Sequence, residues 1–130
     1  MIRLAIAALF CLSSGAGLAQ DIDCAEAVTQ LEMTFCAEME WMAADDDLND
    51  AYGHARVAMK AIDRGLPAAE RGAETSLRDA QRAWITFRDA ACAAEGYGAH
   101  GGSAEPMVIY FCRARLTEQR ADDLWALAQE

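Results

Sequence analysis

The segment Gln81–Glu95, QRAWITFRDAACAAE, decides how this chain folds. Read as a helix, it places Gln81, Trp84, Arg88, Ala91 and Glu95 on one stripe, because residues three and four apart share a face. A stripe that mixes an indole with a guanidinium and a carboxylate can enter a core only if its charges are paired. Partners are available elsewhere in the chain. Asp45 lies one step before an apolar seam on an upstream helix, and Arg120 lies between Leu116 and Leu124 on a downstream one. The expectation is therefore architectural: Asp45, Arg88, Glu95 and Arg120 form interhelical ion pairs. Arginine can hold a carboxylate through two donors at once, which fixes register as well as charge. A catalytic carboxylate pair would need one acid held protonated, and neighbouring arginines push the other way. No Ser–His or Cys–His nucleophile arrangement can be traced, so the residues give no support to an enzyme.

Outward from this segment, glycine and proline punctuate the chain in two main places, DRGLPAAE (63–70) and EGYGAHGGSAEP (95–106), and three helical stretches result. The first opens at Thr29, where Thr29-Gln30-Leu31-Glu32 fits a capping box. Leu48, Tyr52, Ala55, Met59 and Ile62 follow at spacings of four and three, a helical seam. Gly53 is a weak point within it, and Gly65 stands where a left-handed C-terminal cap belongs. Pro67 suits the first turn of a second helix, with Leu77, Ala80, Trp84, Phe87 and Ala91 as its apolar stripe. A third runs from Glu105 or Pro106 to about Gln129 and buries Met107, Val108, Phe111, Leu116, Leu124 and Leu127. The fold class expected is all-α: a small, disulfide-stabilised antiparallel three-helix bundle, made of a long helical hairpin plus a shorter third helix.

Residues 1–19 read as a cleaved export signal, with Arg3, the apolar run LAIAALFCL and the small-residue stretch SSGAGLA ending at Ala19. The apolar run is about half the length a spanning helix needs, which argues against a transmembrane anchor. Phe10, where a small residue would be expected, argues against lipidation at Cys11. Residues 20–130 then form one domain, periplasmic or secreted, in a compartment where disulfides persist. The domain keeps Cys24, Cys36, Cys92 and Cys112, an even count that reads as two bonds. Cys24 and Cys36 cannot meet within one straight helix, because twelve residues rise about 18 Å. The cap at Thr29, however, leaves Cys24 outside the helix and free to fold back. The preferred pairing is 24–36 with 92–112, and 24–112 with 36–92 is the alternative. No C-x-x-C exists and His54 and His100 stand alone, so neither a metal nor a cofactor is expected.

The formal net charge is −10, and loss of Arg3 with the leader would make it about −11. Such a surface disfavours nucleic acid and favours encounter with a basic protein. Two regions are candidates for that contact. In EMEWMAADDDLND, Trp41 could anchor a partner beside Asp46 and Asp47. In the loop after Glu95, Tyr97, His100 and Ser103 could reach into a partner's cleft. That loop also carries four glycines suited to positive φ.

Four pieces recur in order: TQLEMTFCA after an upstream cysteine, ADDDLNDAY, AQRAWITFRDAAC, and GGSAEPM followed by a cysteine and LTEQRADDL. Together they resemble the N-terminal domain family named after the lysozyme inhibitor LprI, over about residues 24–127. The resemblance implies a small disulfide-stabilised helical domain of the cell envelope. For the namesake it implies inhibition of a lysozyme-type muramidase by direct binding. Arg88, Glu95, Arg120 and the cysteines fall on the recurring positions. The namesake is a lipoprotein, whereas this leader lacks a convincing lipidation cysteine. The functional expectation is a non-enzymatic inhibitor of a basic lysozyme-like hydrolase. The alternative is an envelope structural or interaction module with another protein partner.

Overall fold

Thr29 starts the first helix through its side chain. Its hydroxyl accepts from the Glu32 N–H, and the Glu32 carboxylate accepts in return from the N–H groups of Thr29 and Val28. Those bonds hold the Glu32 carboxyl below its ordinary pKa, the Thr29 N–H contributing most. In the computed structural model, which describes residues 22–129, this helix, α1, spans Gln30–Gly65. It is followed by α2 (Ala73–Gly96) and α3 (Glu105–Ala128). The leader, residues 1–19, lies outside the described residues. Among the described residues, no helix is long and apolar enough to cross a membrane.

The three helices run up, down and up. The start of α2 meets the end of α1 at Glu74–Arg56, and its middle meets the middle of α1 at Arg88–Asp45. α3 runs parallel to α1, since Tyr110 stacks on Trp41 and Trp125 reaches Asp47. The fold class is the one the sequence leads to: three packed helices with two disulfides, Cys24–Cys36 and Cys92–Cys112. The hairpin is not its tightest unit, however. α1 packs far more extensively on α3 than on α2, and α3 is as long as α2.

Alanine explains the intimacy of α1 and α3. Ala37, Ala44, Leu48, Ala51 and Ala55 of α1 face Ala114, Thr117, Ala121 and Leu124 of α3, all buried. The spacings are those of a coiled-coil seam, and small side chains let the two helix axes approach closely. The seam expected from larger residues is displaced towards these positions. Tyr52 and Met59 pack at its margin, while Ile62 is exposed.

Four local details differ from the expectation. Gly65 is the last residue of α1 and takes no left-handed cap; the next residue, Leu66, turns extended at φ −98°. Pro67 is not in the first turn of α2 but leads a short 3-10 turn, Ala68–Glu70. The cap of α2 comes instead from the last turn of α1, where the Asp63 carboxylate accepts from the N–H groups of Gly72, Ala73 and Glu74. Those three bonds hold the Asp63 carboxyl below its ordinary pKa, led by Gly72. The apolar stripe proposed for α2 is also rotated. Phe87 is 60% exposed and Ala80 is exposed, while Leu77, Gln81, Arg88, Cys92 and Gly96 line the buried face. On α3, Phe111 is 42% exposed, and Cys112 takes the inner place beside it.

Candidate functional site

Arg88 is the centre of the Gln81–Glu95 segment. Only 8% of its side chain is exposed. Its Nη1 donates to Asp45 Oδ1 of α1 at 3.3 Å and to Thr117 Oγ1 of α3 at 3.4 Å, and its Nε donates to Asp89 Oδ1 at 3.0 Å. One guanidinium therefore touches all three helices. Its carbon also lies over the rings of Trp84 at 5.2 Å and Trp41 at 5.6 Å, within the range of cation–π attraction.

The other charges expected to share this site go elsewhere. Glu95 pairs with Arg115 at 2.9 Å on the surface, and Arg120 donates to the amide oxygen of Gln81 at 3.0 Å. The α2–α3 contact at Arg120 is thus a neutral-acceptor hydrogen bond, because the inner position on α2 holds glutamine. Arg113, which the sequence reading passed over, completes the cluster. It lies over the outer face of Trp41 at 4.9 Å and 3.6 Å from Asp89. Only its one-turn spacing from Ile109 and Thr117 could have marked it. Trp41 is stacked on Tyr110 at 5.7 Å and flanked by Arg88 and Arg113, and its Nε1 is buried without an acceptor. Burial, and then the Glu38 carboxylate, push the Tyr110 phenol pKa up. Trp41 is thereby a half-buried interhelical wedge. The cluster braces the bundle, and its acids Asp45 and Asp89 are paired with Arg88.

The loop between α2 and α3 is a built structure. After the 3-10 turn Tyr97–Ala99, the Tyr97 ring stacks on His100 at 4.6 Å, and His100 Nδ1 lies 3.0 Å from Glu105 Oε1. The Gly101 N–H donates to Glu105 Oε2 at 2.8 Å. His100 first, then this backbone donor, hold the Glu105 carboxyl below its ordinary pKa. Of the four glycines, only Gly101 has positive φ, 76°. Gly96 is required for a different reason: a Cβ there would lie 2.6 Å from Ile109 Cγ1. Tyr97, His100 and Ser103 are all exposed. A hollow of about 420 Å³ joins Ser103 and Pro106 of this end to Gln30, Leu31 and Thr34 of α1.

The acidic stretch of α1 divides by face. Asp45 turns inward to Arg88, Asp47 accepts from Trp125 Nε1 at 3.0 Å, and Asp46 faces solvent. The loop and the first turns of α1 therefore share one end of the bundle, and Asp46 continues the outer side of α1 away from it.

Comparison with known proteins accords with this architecture. The family model described as Lysozyme inhibitor LprI matches residues 23–124. An uncharacterized protein of Rhizobium meliloti is 40% identical over 129 residues, covering 96% of this chain and 93% of its own length. A crystal structure of a DUF1311 family protein from Pseudomonas putida KT2440 superposes with a TM-score of 0.67. It covers 78% of this chain and 96% of its own, at 24% identity, a likeness of fold alone. The chain belongs to the LprI lysozyme inhibitor family.

Proposed function

We propose that this chain is an exported, non-enzymatic binding protein that inhibits lysozyme-type peptidoglycan hydrolases by direct contact. The observation that carries the reading is the family match across residues 23–124. Two features support it. The disulfides Cys24–Cys36 and Cys92–Cys112 suit an oxidising compartment outside the cytoplasm, where such hydrolases act. The net charge of −10 favours encounter with a cationic enzyme and suits inhibition by steric cover of its cleft. The leader 1–19 would be removed on export, leaving residues 20–130 as the acting domain.

The test is the lysis of a peptidoglycan suspension by a panel of c-type, g-type and i-type lysozymes. Purified protein should slow lysis by at least one of them at near-stoichiometric ratio, and the effect should weaken as salt rises. Full lysis by every enzyme at large molar excess of the protein would refute inhibition and leave the chain as an interaction module with another partner.

A further inference from the structure

The outer face of α1 carries apolar side chains where a helix in contact with water would carry polar ones. Leu31, Phe35, Met39 and Met42 recur at spacings of four and three. Leu31 is 78% exposed, Met39 44% and Met42 52%. At 3.6 residues per turn these positions lie about half a turn from the alanine seam that packs on α3. Phe35, the least exposed of the four, still has 40% of its surface open.

The same face continues through the exposed Asp46 to Gly53. A Cβ built on Gly53 meets nothing within 4 Å, so no contact inside the molecule explains glycine there. Glycine is nonetheless among the poorest helix formers, and it sits within the longest helix, 36 residues. It forms the floor of a shallow hollow of about 300 Å³ walled by Asn49, Asp50, His54 and Val57. A glycine on an outer helix face suits the close approach of another molecule.

Charge narrows the choice of occupant. From Ile22 to Ala55 the chain has nine acidic residues and no lysine or arginine. A second copy seated on this face would oppose acid to acid. A cationic protein with an apolar ridge would meet both the methionine stripe and the carboxylates around it.

We infer that this face, from Leu31 through Met42 and Asp46 to the hollow at Gly53, docks a cationic protein whose ridge packs against the Gly53 backbone. The inference rests on the reading of the partner as a lysozyme-type hydrolase and assigns the surface it meets.

Binding of the same lysozyme panel would be measured by calorimetry for wild type, Gly53→Ala, Met42→Ser, Asp46→Lys and, on the loop, Tyr97→Ala. Gly53→Ala should raise the Tm of the free protein by about 4 °C while weakening binding about tenfold or more. Met42→Ser should weaken binding comparably with Tm little changed, and Asp46→Lys should weaken binding at low salt and flatten its salt dependence. A wild type that binds while all three α1 variants stay within about twofold of it overturns the assignment of the face and leaves the inhibitor reading intact. If Tyr97→Ala alone loses binding, the contact lies on the loop. A wild type that binds no lysozyme in the panel overturns both. A dimer in sedimentation that Met42→Ser dissociates replaces the cationic partner with a second copy.

Discussion

Replacing Arg88 separates the two ways in which its cluster could hold the bundle. Arg88→Ala removes the buried donor to Thr117, the bonds to Asp45 and Asp89, and the stacking on Trp84 and Trp41. A charge-assisted hydrogen bond contributes about 1.5–3 kcal/mol and a partly desolvated cation–π contact about 0.5–2 kcal/mol. These terms are not additive, and a side-chain-sized void adds to them, so a total of about 3 kcal/mol is the working figure. For a domain of roughly 110 residues that corresponds to a fall in Tm of about 13 °C. Arg88→Met keeps most of the volume and the contact with both indoles, and should cost only about 1 kcal/mol. Asp45→Asn should cost less than about 1 kcal/mol, because the Asp45 side chain is 41% exposed and water can replace the arginine. Thermal unfolding followed by circular dichroism measures all three. The reasoning fails if Asp45→Asn is as damaging as Arg88→Ala, since the ion pair rather than the packed guanidinium would then carry the stability. It also fails if Arg88→Met keeps its Tm but loses inhibition of lysozyme, since the residue would then belong to a binding site.

Gly96→Ala should lower stability by about 1–3 kcal/mol, because Ile109, stiff at its β-branch, leaves no room for a Cβ; Gly96→Ala with Ile109→Ala should recover part of the loss, and denaturant unfolding checks both. Replacing Cys92 and Cys112 with serine should cost about 3 kcal/mol, as expected for a closed loop of this length, read as a lower urea midpoint. The pH dependence should be set by Asp63, Glu32, Glu74 and Glu105, whose carboxyl pKa values all lie below the ordinary range. Their stabilisation is fully present above the unfolded-state carboxyl pKa, about 4, and is lost as pH falls through the lower folded-state values. Asp63→Asn should therefore lower Tm at neutral pH and flatten its decline on acidification, which a pH series of melting curves would show.

The parts of the fold that were legible in the sequence are those fixed by short-range chemistry. The Thr29–Glu32 capping box needs only four residues to be recognised. Cys24 was free to turn back on Cys36 because the cap excluded it from the helix. The helix limits at Gly96 and Glu105 followed from the glycine cluster between them. What escaped depended on partners far away in the chain. Alanine carries little hydrophobic weight in a periodicity reading, so the seam of Ala37, Ala44, Ala51 and Ala55 was hidden behind larger residues on the helix margin. The cap of α2 could not be found near Ala73 because its acceptor, the Asp63 carboxylate, sits on the preceding helix. In the brace, charge alone does not say which acid an arginine will reach. Glu95 lies nearer to Arg115 than to the inner stripe, and Arg120 meets an amide. Trp41, with acids on either side in sequence, looked like a surface residue, yet the two arginines that flank it come from other helices.

Both disulfides lie at the same end of the bundle, where α1 and α3 begin and α2 ends. The opposite end, with the α1–α2 corner and the last turns of α3, has no disulfide among the described residues and is held by the Asp63 cap, the Glu74 ion pairs, the Arg71 Nε bond to the Leu66 carbonyl and side-chain packing. Of the two disulfides, Cys92–Cys112 joins α2 to α3, whereas Cys24–Cys36 ties the segment before α1 back onto α1 itself. Thermal opening should begin at the pole without disulfides, and native-state amide exchange should slow along α2 and α3 towards the Cys92–Cys112 end.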